Sequence, residues 1–272
     1  MKRVKVALFF GNKVEFHNYA FKYFILSLNK FQNTYEFNFQ NEKIVQNEER
    51  SNPIKWISYL NDKSKKLNSD YSIIFISNKL DKDYFAYPDK NGAVITSYNW
   101  EKKYSPPSLF EYLITSIYYC LIYSQLKIPS QIPQGNLPSS IFDVHLETFG
   151  CYADAATDRK DNRLGVAIGY ICDNHKESIR SYYGEDYLNE TLKILERKWI
   201  GNLEEKNSIA YNLKHYFNFN IIKDSGFNKN LWDYIKSKFY DIPGSLVGEG
   251  LKLILTAAIA AFLIKLGLSD KK

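Results

Sequence analysis

The chain has 272 residues, enough for one large domain or for a medium domain with an appendage. Hydrophobic residues make up 45% and charged residues 24%, a globular balance that excludes disorder of the whole chain. The net charge of +6 is the small excess of 36 basic over 30 acidic residues, and no arginine cluster or basic stripe marks a nucleic-acid partner.

Residues 4–10, VKVALFF, form an apolar run ended by the turn signal GNK, as expected of a buried strand. The basic start runs directly into this strand, with no long apolar region or small-residue cleavage site. The N-terminal body is therefore expected to be cytoplasmic, with its three cysteines reduced. Phe21, Phe24, Ile25 and Leu28 repeat at helical spacing within residues 16–31. A second strand fits residues 35–39, and residues 53–67 predict a helix with Ile54, Ile57, Tyr59 and Leu60 inward. The continuous run Ile73 to Ile76 suits a central strand, and residues 93–100, AVITSYNW, read as another. These elements predict an α/β fold, a mixed sheet with flanking helices.

Residues 106–127 open with two prolines and a serine and then run apolar, the pattern of a long buried helix with Cys120 in the core. A loop rich in Pro, Gln, Asn and Ser follows at 129–140, and KDNR at 160–163 reads as a solvated turn. Residues 176–198 look helical, residues 204–219 look mixed, and residues 230–241 predict a short amphipathic helix. His17 and His215 read as ordinary core or surface histidines. Composition then changes after IPGS, which divides the chain into a domain of residues 1–241 and a hydrophobic C-terminal helix within 242–272.

That last segment holds a charge-free run of 12 residues, Leu253 to Ile264, between Lys252 and Lys265. Counting Leu251 to Leu268 gives 18 residues, the lower edge of what spans a bilayer if both lysines snorkel. Leu251, Leu253, Ile254, Leu255, Ile259, Phe262, Leu263 and Ile264 would contact lipid, and the alanines among them would permit close helix contact. The alternative is a helix docked on protein or on a sister subunit.

HLETFGCYADAATDRKDNRLGVAIGYICDNH, residues 145–175, carries two of the three cysteines and two of the four histidines. The pattern is C-x20-C-x2-H with His145 six residues before Cys151. Thiolate and neutral imidazole are the preferred ligands of zinc, and a C-x2-H pair can share one ion. Cys151, Cys172, His175 and His145 would fill a tetrahedral shell, the structural kind of site. A catalytic site would instead draw on His145, Glu147, Asp154 and His175. The chain contains no H-E-x-x-H, no G-x-S-x-G, no phosphate-binding loop and no dinucleotide-binding glycine motif. A thiol nucleophile, Cys151 or Cys172 with His145 as base, has no local mark of activation.

The order KVALFFGN, DYSIIFISNKL, NGAVITSYNW, long helix, cysteine-bearing segment resembles the layout of archaemetzincin-type zinc peptidases over residues 4–180. Ala93-Val94-Ile95-Thr96 resembles that family's A-V-I-S strand, and His175 stands where its last cysteine would be. The family's catalytic H-E-x-x-H belongs on the helix after Trp100, where this chain has LFEYLITSIYYCLIYS with Glu111 as its one acid and no histidine. The resemblance thus implies a degenerate, non-catalytic zincin-like domain with zinc in a structural role.

The function expected from this layout is that of a bacterial membrane-directed effector or sensor, of an antiphage or stress-response kind. Its α/β domain would meet a small molecule, a nucleotide or a protein, associate with the inner membrane and assemble as a homo-oligomer. Two other classes stay open: a metal-dependent hydrolase using the 145–175 segment, and a cyclic-nucleotide-sensing module with a membrane helix.

Overall fold

Side chains alternate across the two faces of a strand, so a strand apolar at every position must be covered on both faces. Two runs of this chain, residues 6–10 and 73–76, have that property. They belong to β1 (Val4–Gly11) and β4 (Tyr71–Ile76), which lie side by side in the computed structural model. The structure describes residues 3–11, 14, 18–44, 50–81, 84–124, 145, 150–154 and 159–221. All of these belong to one compact unit, Met1–Asn228; the other unit, Lys229–Lys272, lies outside the described residues. So do the loop at 129–140, the helix expected at 230–241, the domain boundary at 241, His17 and the whole hydrophobic run from Leu251 to Leu268. Among the described residues no helix is long and apolar enough to cross a membrane.

The sheet has the order β2-β1-β4-β7-β6, with β2 at Tyr35–Ile44, β7 at Gly92–Thr96 and β6 at Ala86–Pro88. β2, β1, β4 and β7 are parallel, and β6 closes one edge antiparallel to β7. A separate parallel pair joins β3 (Arg50–Ser51) to β5 (Lys79–Leu80). The expected mixed α/β sheet is therefore present. After β2 the chain reverses its direction of travel across the sheet, so the two connecting helices fall on opposite faces. α1 (Asn18–Ser27) packs with Val6, Leu8, Ile73, Phe75 and Ile95 on one face. α2 (Pro53–Leu67) covers Ala7, Phe9, Ile74, Ile76 and Val94 on the other.

α2 begins where the sequence dictates, with Asn52 accepting from the Ile54 amide at 2.9 Å and Pro53 at the first helical position. Its inward stripe differs from the expectation. Trp56, Ile57 and Leu60 are buried, but Ile54 is 65% exposed and Tyr59 only partly covered. The helix is rotated so that the largest side chain, Trp56, takes the core position, and a single β-branched residue in the first turn is left in solvent.

α3 (Leu109–Tyr123) is the buried helix expected after the prolines, with Cys120 wholly buried. It starts at a capping box in which Ser108 accepts from the Glu111 amide and Glu111 accepts from the Ser108 amide. The strand expected to reach Trp100 ends at Thr96. Trp100 lies in a short helical turn, stacked on Tyr112 at 3.8 Å between ring centroids, with its indole N–H donating to Pro107 O at 2.9 Å.

The expected helix at 176–198 is two helices, α5 (Asp173–Tyr183) and α6 (Glu185–Glu196), split at Gly184 with φ of 90°. α7 (Ile209–Phe217) packs against α1, and on it His215 is exposed and stacks on Tyr211. KDNR at 160–163 is not a turn. It lies inside a helix, α4 (Arg159–Ile168), which buries Val166; the run of charged and amide residues in its first half has the composition of a loop.

The tyrosines form a buried network on the α3 face of the sheet. The Tyr35 and Tyr187 hydroxyls meet at 2.8 Å, and Tyr183 donates to Ile122 O at 2.9 Å. Burial pushes the hydroxyls of Tyr35, Tyr71, Tyr118 and Tyr152 well above the usual phenol range, and it raises the Cys120 thiol as well. Each group holds its proton in the folded state to higher pH than in the unfolded chain. Its contribution is complete below its unfolded pKa and is lost as pH rises toward the folded value. The melting temperature should hold up to about pH 8.5, where the unfolded thiol begins to titrate. Above about pH 10 each tyrosine should remove about 1.4 kcal/mol per pH unit. A melting temperature flat to pH 11 (about one unit above the unfolded phenol) would contradict this packing.

Candidate metal centre

Cys172 and His175 are a local pair. Cys172 is the N-cap of α5, with φ of −67° and ψ of 161°, and His175 is three residues on in the first turn. That spacing turns the imidazole back over the cap, and Nδ1 lies 3.1 Å from Cys172 Sγ.

Cys151 and His145 arrive from other parts of the chain. Short parallel bridges pair His145 with Asp154 and Cys151 with Tyr170. The His145 amide donates to Ala153 O at 3.1 Å, and the Tyr152 amide donates to Tyr170 O at 2.7 Å. These bonds bring Cys151 beside Cys172, whose own amide donates to Cys151 Sγ at 3.3 Å; the Ala153 amide donates to the same sulfur at 3.5 Å. Two N–H groups aimed at one sulfur suit a metal-bound thiolate and fix its direction. Gly150, with φ of 75°, turns the chain into Cys151.

His145 Nε2 lies 3.2 Å from Cys172 Sγ, and the two imidazole rings stand nearly perpendicular with centroids 4.9 Å apart. The ligand atoms of His145, Cys151, Cys172 and His175 all lie within 4.8 Å of one another, and Cys151 and His175 are buried. A tetrahedral zinc with sulfur at about 2.3 Å and nitrogen at about 2.0 Å separates its ligands by about 3.3–3.8 Å. The four residues expected from the sequence are the four brought together, and the group could hold a metal ion.

The other expected ligands are placed differently. Asp154 pairs with His145 through the backbone but is not in the four-residue group. Its Oδ1 has no partner among the described residues and, with Ser116 Oγ, Tyr152 Oη and Asn162 Nδ2, belongs to the lining of a small cavity of about 10 Å³, the room of one water molecule. Glu147 lies outside the described residues. Glu111, the one acid on α3, is committed elsewhere. It caps α3 and pairs with Arg197 Nη1 at 2.7 Å, both side chains being largely covered. Arg197 was not singled out in the sequence, and no local signal marks it, since its partner lies 86 residues away.

Comparisons of the chain with protein-family models, with curated proteins and with solved structures found no match.

Proposed function

We propose that this protein is a non-catalytic, zinc-stabilised α/β sensor domain that directs a hydrophobic C-terminal segment to a membrane, on a scaffold related to a degenerate zincin. The convergence of His145, Cys151, Cys172 and His175 within 4.8 Å carries the reading. Four soft and imidazole donors complete a zinc shell, and a complete shell leaves no position for a reacting water. The zinc then supplies fixation. It ties the start of α5 to the segment before α4, adding to the backbone bridge that already pairs Cys151 with Tyr170.

The membrane part rests on the sequence from Leu251 to Leu268. A stretch of marginal length, rich in alanine and flanked by lysines, suits an interfacial or conditionally inserted helix. The full chain, mixed with vesicles containing anionic lipid, should float with them. A Leu255→Asp, Ile259→Asp variant of the full chain should stay in the soluble fraction with its melting temperature unchanged. Wild-type protein that remains soluble at every lipid concentration would end the membrane part of the proposal without touching the metal part.

A further inference from the structure

A groove of about 460 Å³ opens between the N-terminal end of α3 and the outer face of α4. Its size falls in the range of small-molecule sites. Pro106, Pro107, Leu164 and Ala167 give it an apolar lining, and Leu164 is 43% exposed. Three charged side chains complete it: Glu111, Arg163 and Arg197.

Two of those charges cancel. Arg197 donates through Nη1 to Glu111 and through Nη2 to Ala167 O at 3.0 Å, so its guanidinium is held in place and its charge is matched. Glu111 is further occupied by the Ser108 amide at 2.8 Å. Arg163 is the unmatched charge. Its Nε donates to Pro106 O at 2.6 Å, and among the described residues that is its one hydrogen bond. The bond anchors the guanidinium at the groove's rim and leaves its terminal nitrogens available. A guanidinium fork fixed beside an apolar trough matches a ligand with a carboxylate at one end and a hydrocarbon body at the other. A phosphate dianion would ask for more donors than one arginine supplies, and a cation would meet Arg163 with like charge.

We propose that this groove binds a small amphipathic carboxylate, with Arg163 holding the carboxylate and Pro106, Pro107, Leu164 and Ala167 receiving the apolar part. The inference deepens the sensor reading by naming the class of ligand sensed. The wall formed by α4 joins the strand-like stretch at Cys151 to the one at Tyr170 and Cys172, and Gly165 lies against Cys151 O. A ligand in the groove therefore presses on the helix that separates the two metal-binding cysteines.

The test is calorimetric titration of the full chain with octanoate, octanol and octylamine. Octanoate should bind about tenfold or more tightly than octanol, the ratio that a charge-assisted hydrogen bond supplies, and octylamine should be the weakest. Arg163→Gln changes an exposed side chain and should bring octanoate and octanol within about threefold of each other. Ala167→Trp fills the trough and should abolish binding of both. The proposal is overturned if octanoate does not bind, if it binds no better than octanol, or if Ala167→Trp leaves its affinity intact. Because binding is read directly, a failed vesicle assay or a metal-free protein would not imitate any of these results.

Discussion

Replacing Cys151 and Cys172 together by serine is expected to take the protein from about one zinc per chain to none. It should also lower its stability by about 4 kcal/mol, the linkage expected when free zinc exceeds its dissociation constant about a thousandfold. At about 2–4 °C per kcal/mol for a unit of this size, the melting temperature should fall by about 10 °C. The cause lies in the two sulfurs. They are the points at which the segment 150–154 and the start of α5 meet, and serine offers neither the charge nor the softness that zinc selects. Chelation of the wild type should reproduce the loss, since ligands drawn together by an ion repel or separate when it leaves. Cys120→Ala provides the contrast. That thiol is wholly buried in the α3 core, so its truncation should cost about 1 kcal/mol and leave the zinc in place. A well-folded wild type without metal, as stable as its chelated form, would remove zinc from the account and leave all three cysteines as core residues.

Phe21→Ala should destabilise the domain by about 3–5 kcal/mol, the usual cost of deleting a fully buried aromatic ring. Phe21 is the centre of an aromatic cluster under α1. Its ring lies 5.2 Å from Phe75 in an edge-on arrangement, 5.2 Å from Phe110, and 6.1 and 6.2 Å from Phe39 and Phe10. These partners come from β4, α3, β2 and β1, so one truncation opens a cavity that no single element can close. Urea unfolding should show a lower midpoint with an unchanged slope. Tyr19, on the same helix but 73% exposed, should tolerate alanine within about 0.5 kcal/mol. Similar losses at the two positions would mean that α1 faces the sheet differently.

The parts of this protein that depend on short stretches were legible in the sequence. The all-apolar runs of β1 and β4 demand cover on both faces, Asn52-Pro53 starts α2, and Ser108 with Glu111 starts α3. The C-x2-H pair also belongs here, because a helix cap and its first turn place Cys172 and His175 together whatever the rest of the chain does.

Other features needed the tertiary structure, because local periodicity sets which residues share a face and not where that face points. The inward side of α2 was decided by Trp56, which took the core and turned Ile54 outward. The helix at 159–168 was hidden by a run of charged and amide residues whose composition is that of a turn. That His145 and Cys151 join Cys172 and His175 in one candidate metal-binding group follows from bridges to Asp154 and Tyr170, and the Glu111–Arg197 pair beside the groove spans 86 residues. The sequence by itself determined the apolar runs of β1 and β4, the starts of α2 and α3, and the local half of the candidate metal group, Cys172 and His175. Chain closure over long separations decided the other half and the groove, because bonds between distant segments leave no pattern in either segment alone.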